Sequence, residues 1–433
     1  MDGTWQRGEV WVDGERIARV TTTSGEDRSG ASRLDVGPAY VLPGIVDAHV
    51  HSLSHGHEGI AAATRSAAAG GVTTIVEMPF DATGPINDVG RLRAKQELAN
   101  DEAHVDVALL GTIEPRGGWR RAAELAQAGV CGFKVSLFDT DPFRFPRIDD
   151  RDLINVMAAV GDTGRTLCAH VENNEVVKAL LAEEADATDV QAHTRSRPPV
   201  AETLGVLTAM EIAATTGAAL HLCHLSLPRS VDLALWYRGQ GADLTFETCP
   251  HYLTFTSADL ETRRGRLKIN PPLREGADRE GLWARIAAGD VPVISSDHAP
   301  WPAALKDQRR IFDNHSGAPG VETIAAVTLG QALARGLDVF TRALEALTVA
   351  PARRYGLERR KGSLEVGKDA DIAVFTPDPD VAIDETRLHS NAGWSPYDGL
   401  RPGGRITHTL ARGELVWSTT AGVTAAAGRG TVL

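Results

Sequence analysis

The sequence predicts an α/β chain, a (β/α)₈ barrel with a small composite β-sandwich domain formed by its N- and C-terminal segments. Three observations carry that prediction. From Ile45 onward, short apolar runs alternate eight times with longer helical stretches rich in Ala, Leu and Arg. Both ends of the chain have strand-and-turn texture instead. The length of 433 residues exceeds one ordinary domain but suits a barrel with a small appendage.

The elements follow in order. Gly8 to Val12 and Arg16 to Val20 read as short strands around an Asp13-Gly14 turn, and residues 21–30 as a polar loop. Eight strands are expected at residues 45–51, 73–79, 105–111, 132–137, 166–172, 219–226, 243–250 and 291–297. Amphipathic helices are expected between them, at 60–70, 89–100, 118–129, 150–161, 201–217 and 279–289. Gly70, Gly71, Gly129 and Gly217 sit where helices end and a left-handed residue is commonly needed. A doubly wound open sheet begins in the same way, and the count of eight decides for the closed barrel. After about residue 362 strand texture returns, at 371–375, 406–411 and 414–418. Residues 43–362 are therefore assigned to the barrel, and 1–42 with 363–433 to the composite domain.

Composition narrows the function. Hydrophobic residues make up 42% and charged residues 24%, ordinary for a globular protein with a large core. A net charge of −12 argues against nucleic acid or an anionic membrane as partner. Residues 1–10 show no secretory apolar stretch, and no apolar run approaches a membrane span. Cys131, Cys168, Cys223 and Cys249 are scattered without a C-x-x-C pair, and three lie in apolar runs. They read as reduced core residues of a cytoplasmic protein.

The chemistry lies in the strands. His49 and His51 close the first one, two apart and hence on one face. Lys134 lies in the fourth, His170 ends the fifth, His224 the sixth and Asp297 the eighth. In a barrel all strand C-termini meet at one end, so these six residues converge. Singly, each has a bland reading. An H-x-H pair arises by chance, and His170 alone can be a core histidine. Lys134 within Gly-Phe-Lys-Val-Ser-Leu is harder to dismiss, because a buried ammonium must be paired, neutral or modified. Asp297 poses the opposite problem. Metal coordination resolves all of them together, since carboxylate and neutral imidazole are natural Zn²⁺ ligands. His221 and His224 are three apart, so strand alternation lets only one face inward. His224 is preferred, which leaves His221 against a helix. By the same rule His298 points away from Asp297 and reads as a supporting or substrate-contacting residue.

These residues sit in PGIVDAHVH (43–51), GGVTTIVEMP (70–79), GFKVSLF (132–138), CAHVEN (168–173), SRPPVAE (196–202), HLCHLS (221–226), ETCPHYLTFT (247–256), INPPLR (269–274) and SSDHAP (295–300). Further phrases are GAPGVET (317–323), KGSLEVGKDADIAVF (361–375) and SPYDG (395–399). The ordered set resembles the cyclic amidohydrolases, the family of allantoinases, hydantoinases and dihydroorotases, nearly end to end. That resemblance implies a hydrolase opening a cyclic amide ring with two divalent metal ions, Zn²⁺ first among the candidates. It implies that CO₂ carboxylates Lys134 to a carbamate bridging both ions. His49, His51 and Asp297 would then hold one ion, and His170 and His224 the other. Attack by metal hydroxide on the ring carbonyl follows, with Asp297 carrying the proton to the leaving nitrogen. Relatives are commonly dimers or tetramers, so a homo-oligomer is expected.

Within that family the phrases look most like allantoinase, with Glu58-Gly59 heading the first helix. Dihydroorotases usually carry a carboxylate-binding arginine two residues after H-x-H, where this chain has Leu53. Hydantoinases usually place a tyrosine five beyond the bridging lysine, where this chain has Asp139, and tend to have Gln at His251. Residues 268–274 and 317–323 look more like dihydroorotase, and the loop Ser52–His57 is short and histidine-rich. Allantoin is therefore the first reading. A hydantoin or dihydropyrimidine ring is the second, and dihydroorotate or an unfamiliar imide the third. Asn270, His251 and His298 are the candidate substrate contacts. The rival class is a non-catalytic scaffold, which the retention of all six ligand positions disfavours.

Overall fold

A computed structural model describes residues 5–22 and 30–433, so most of the polar loop expected at 21–30 lies outside the described residues. The strands are β1 (Glu9–Asp13), β2 (Arg16–Thr21), β3 (Tyr40–Pro43), β4 (Ile45–Val50), β5 (Val72–Glu77), β6 (Phe80–Asp81), β7 (Gly84–Pro85), β8 (Asp106–Thr112) and β9 (Gly132–Ser136). They continue with β10 (Thr166–His170), β11 (Leu220–Leu222), β12 (Leu244–Thr248), β13 (Val293–Ile294), β14 (Ile372–Asp378), β15 (Gly403–Ala411), β16 (Glu414–Ser418) and β17 (Gly422–Val423).

Eight of these form one parallel sheet in the order β13-β12-β11-β10-β9-β8-β5-β4. A parallel bridge from Val50 to His298 joins its two ends and closes the barrel. Two backbone bonds reinforce the closure, His51 N to His298 O at 2.8 Å and His298 N to His49 O at 3.2 Å. All eight expected strands form. Strands covered on both faces must be apolar throughout, which is why they appear in the sequence as continuous runs. The outer faces pack the helices through the large core that includes Ile75, Leu109, Phe133 and Phe246. The lumen is filled by smaller residues, among them Ala48, Val76, Ala108, Cys168, Cys223 and Val293. All four cysteines are buried and unpaired.

The second sheet is antiparallel, in the order β17-β16-β15-β14-β3. Here the N-terminal strand β3 pairs with β14, Pro43 opposite Ile372 and Tyr40 opposite Phe375, so both chain ends build one layer. The hairpin β1-β2 attaches beside it through a bridge from Arg16 to Asp369.

One glycine behaves differently from expectation. Gly71, Gly129 and Gly217 are left-handed at helix ends, but Gly70 is not, with φ −86°. What Gly70 supplies is close approach, because a Cβ there would lie 2.7 Å from the Glu322 backbone.

Candidate functional site

Strand register places the first chemical group. Thr112, Lys134, Cys168, His221 and Thr245 are paired in sequence across β8 to β12, so they form one row around the barrel. The Lys134 side chain is 1% exposed. Its Nζ lies 2.9 Å from Cys223 Sγ and 3.4 Å from His49 Nε2. Among the described residues no carboxylate lies within ion-pair distance of it. The lysine is buried, held in place and not neutralised.

Around it stand the other five candidates. His49 Nε2 and His51 Nε2 approach Asp297 Oδ1 at 3.4 and 3.8 Å. These three residues can present ligand atoms within 4.8 Å of one another. Across the opening, His170 Nδ1 lies 3.0 Å from His224 Nε2. All six residues line one cavity at the C-terminal ends of the strands. The convergence expected from the sequence is what the fold builds.

The outer nitrogens of two histidines are held by carboxylates. His49 Nδ1 meets Glu247 Oε1 at 2.5 Å, and His170 Nε2 meets Glu172 Oε2 at 2.8 Å. Such partners fix the tautomer and turn the opposite nitrogen toward an ion. Burial, aided by the Lys134 charge, lowers His49 to about 4. Burial also lowers His51, His170 and His224, so the four imidazoles are neutral donors. Burial tends to raise the Glu172 carboxyl, but Arg197, 2.5 Å away, and His170 pull it down to about 2. Burial raises Asp297 to about 8 even with the Lys134 ammonium nearby. A carboxylate here needs more positive charge than the lysine supplies, and a divalent cation brings it. Neutral nitrogens, one carboxylate and fixed outer nitrogens therefore fit a metal centre. Cys223 and Glu247 also approach His49 closely enough to hold an ion. Glu247, however, is engaged by His49 and by His221 Nε2 at 3.1 Å, so that group supports the centre.

Two histidines, His221 and His251, lie elsewhere than the sequence suggests, and His298 takes the supporting one of its two expected places. His221 does not pack against a helix. It faces inward on β11 and bonds Glu247 and, through Nδ1, Thr245 Oγ1 at 2.8 Å. His224 faces the cavity as well, because the chain has left β11 and turns at a φ of +41°. Strand alternation does not hold past the last strand residue. Asp297, with φ +47°, faces the cavity as the sequence suggests. His298 does not line the cavity. Its Nδ1 accepts from Gly320 N at 3.0 Å, and its Nε2 lies 3.4 Å from Glu58 Oε1. It works behind the wall, where Glu58 also accepts from Ser390 Oγ and Asn391 N at 3.0 and 2.8 Å. His251 is buried against Tyr252 at 4.2 Å between ring centroids and also stands off the cavity wall. Asn270 does line it, with Oδ1 buried and without a hydrogen-bond partner among the described residues.

Residues missed from the sequence are Glu172, Glu247, Cys223 and Arg144. Glu172 and Glu247 had a readable signal, since each is an acid inside an apolar strand run, which is costly unless paired. Arg144 had none. It reaches the cavity from the segment after β9, and Nη1 bonds the Ser54 carbonyl.

A model of the Amidohydrolase family matches residues 40–416. The chain belongs to the amidohydrolase family. One relative, named Allantoinase, from Rubrobacter xylanophilus, is 37% identical over 99% of this chain and 95% of its own length. Another, named Dihydroorotase, from Halobacterium salinarum, is 35% identical over 94% of this chain and 93% of its own. The structure of L-hydantoinase (dihydropyrimidinase) from Arthrobacter aurescens superposes with a TM-score of 0.94 at 27% identity, covering 98% of this chain and 95% of that one. The barrel with its appended antiparallel sheet is thus the architecture of this amidohydrolase's structural neighbours.

Proposed function

We propose that this amidohydrolase opens the ring of a cyclic ureide by hydrolysis, with allantoin as the first substrate and allantoate as product. The observation that carries the reading is the convergence of His49, His51, Lys134, His170, His224 and Asp297 on one cavity. The relative named Allantoinase, at 37% identity over nearly both full lengths, supports the choice of ring. Two zinc ions are proposed as cofactors, with Lys134 N-carboxylated by CO₂. His49, His51 and Asp297 would hold one ion, His170 and His224 the other, and the carbamate would join them. Carboxylation removes a buried ammonium that has no carboxylate partner among the described residues. When bound, two divalent ions acidify water toward neutrality and polarise a carbonyl oxygen.

The chain's own residues do the rest. Glu247 and Glu172 hold the His49 and His170 rings so that the opposite nitrogens face the cavity. Asp297, through its carboxylate, takes the proton that water loses and delivers it to the ring nitrogen as the C–N bond breaks. Water thus adds across that bond, giving a carboxylate on one side and N–H on the other. Asn270 Oδ1 is the proposed acceptor for a ring N–H. Leu53 cannot pair with a ring carboxylate, which argues against dihydroorotate. Asp139, where the resemblance expects the hydantoinase tyrosine, turns away to Lys178 at 2.8 Å. A hydantoin or dihydropyrimidine ring is the second reading, favoured by the likeness to L-hydantoinase. No helix among the described residues is long and apolar enough to cross a membrane. Cytoplasmic residence and assembly as a dimer or tetramer are part of the proposal.

The test is a panel of allantoin, hydantoin, a 5-substituted hydantoin, dihydrouracil, dihydroorotate and succinimide. It uses protein produced with zinc and assayed with bicarbonate, with bound metal measured in parallel. Preference for allantoin is expected. Activity confined to another ring would keep the metal chemistry and replace the substrate. Inactivity without stoichiometric metal would revive the scaffold reading.

A further inference from the structure

The loop after His51 carries no lysine or arginine, yet a guanidinium stands over the cavity from elsewhere in the chain. Arg144 lines the cavity. Its Nε bonds Asp141 Oδ2 at 2.9 Å and its Nη1 the Ser54 carbonyl, which leaves Nη2 without a partner among the described residues. Those two bonds lock the fork, so the remaining N–H groups are presented in a fixed direction. Asp141 offsets much of the positive charge. An arginine neutralised in this way favours a dipolar oxygen over a full carboxylate.

The same cavity holds a flat aromatic wall. His55 stacks on Trp301 at 4.3 Å between centroids, with an interplanar angle of 29°. His55 is 9% exposed, and neither ring nitrogen has a partner among the described residues. Burial, with nearby His298 adding to the effect, holds it down to about 4, so this wall adds no cation. A planar group attached to the ring can lie against it while its oxygen meets the arginine.

We propose that Arg144 is a specificity residue, selecting rings that carry a neutral, carbonyl-bearing substituent such as a ureido group, whose oxygen accepts from Nη2. The inference rests on the cyclic-ureide reading and adds to it which part of the molecule is recognised away from the scissile bond. Allantoin and hydantoin share the ring and differ by the ureido group, so they isolate the contact.

The experiment compares kcat/KM for both rings in zinc-loaded wild type, Arg144→Met and Arg144→Lys, with metal content checked in each. Arg144→Met is expected to lower kcat/KM for allantoin by about 10- to 100-fold, the range for a charge-assisted hydrogen bond, chiefly through KM. Hydantoin should change by less than about threefold on the same argument, since it lacks the acceptor. Arg144→Lys should recover part of the loss. Equal losses on both rings, or none on either, would overturn the proposal, as would a wild-type preference for dihydroorotate. If wild type opens neither ring, the hydrolase reading fails separately. Calorimetric binding of the two rings to wild type and Arg144→Met then decides this inference. A preference for allantoin that the variant loses sustains it, and equal or absent binding refutes it.

Discussion

Each end of the barrel buries a lysine at 1% exposure, and the two are treated in opposite ways. At the end facing the second sheet, Lys361 Nζ meets Asp106 at 2.6 Å, Asp371 at 2.7 Å and Asp369 at 2.9 Å. Asp106 opens barrel strand β8, while Asp369 and Asp371 lead into β14, so one ammonium fastens barrel to sheet. At the cavity end, Lys134 has a thiol and an imidazole for neighbours and, among the described residues, no carboxylate partner. A buried charge that is fully paired is a structural joint. One left without its counter-charge, among neutral donors aimed at one point, is reserved for what the protein binds.

The sharpest way to break that comparison is to remove each lysine in turn. Lys134→Ala is expected to lose bound metal and to lower ring opening beyond the about 100-fold cost of losing an outer-shell partner. Its metal-free stability should stay at the level of metal-free wild type or rise, because a poorly paired ammonium has gone. Metal analysis, turnover and denaturant unfolding together read this out. Full metal and full activity in that variant would end the role given to Lys134.

Lys361→Met should do the reverse. It leaves Asp371 without an ion-pair partner among the described residues, while Asp369 keeps Arg16 and Arg360, and removing one partner of a buried pair costs about 3–5 kcal/mol. Denaturant unfolding should show that loss, while the folded fraction keeps its metal and its turnover. If activity fell with stability unchanged, the joint would be coupled to the cavity and the contrast would fail.

The same contrast explains what could be read in advance. Barrel strands were legible because burial on both faces demands unbroken apolar runs, and polar residues ending such runs declare themselves. Lys134 and Asp297 stood out on that ground. The rule of alternation failed at His221 and His224 because β11 is short, ending at Leu222. Beyond it the backbone turns left-handed at His224 and aims a side chain that a strand would turn away. Lys361 lay in a phrase used only for its likeness, although a lysine followed by Asp369 and Asp371 already held the joint in outline. Arg144 was not legible at all. Its partner Ser54 is 90 residues distant, and loop contacts of that span leave no periodic mark.

A weaker joint shows the comparison at its lower limit. His389, after β14, donates from its backbone N to Glu322 Oε2 at 2.8 Å and pairs its Nδ1 with Oε1 at 2.9 Å. Glu322 precedes the barrel helix Ile324–Arg335, so this pair also ties sheet to barrel. The hydrogen bond to Glu322 raises His389 above its ordinary 6.5, against the effect of burial. A histidine raised on folding stabilises fully below its unfolded pKa, and the effect fades as pH rises through the folded value. The side chain is 31% exposed, so solvent screening should keep the contribution below about 1 kcal/mol. Wild type should therefore exceed His389→Asn in unfolding free energy at pH 6 by more than at pH 9. Lys361, held against the effect of burial above its ordinary 10.5 by Asp371 and its neighbours, keeps its charge across that range and should give no such slope. A difference that is flat or grows toward pH 9 would mean that His389 holds Glu322 as a neutral ring, through the hydrogen bond alone.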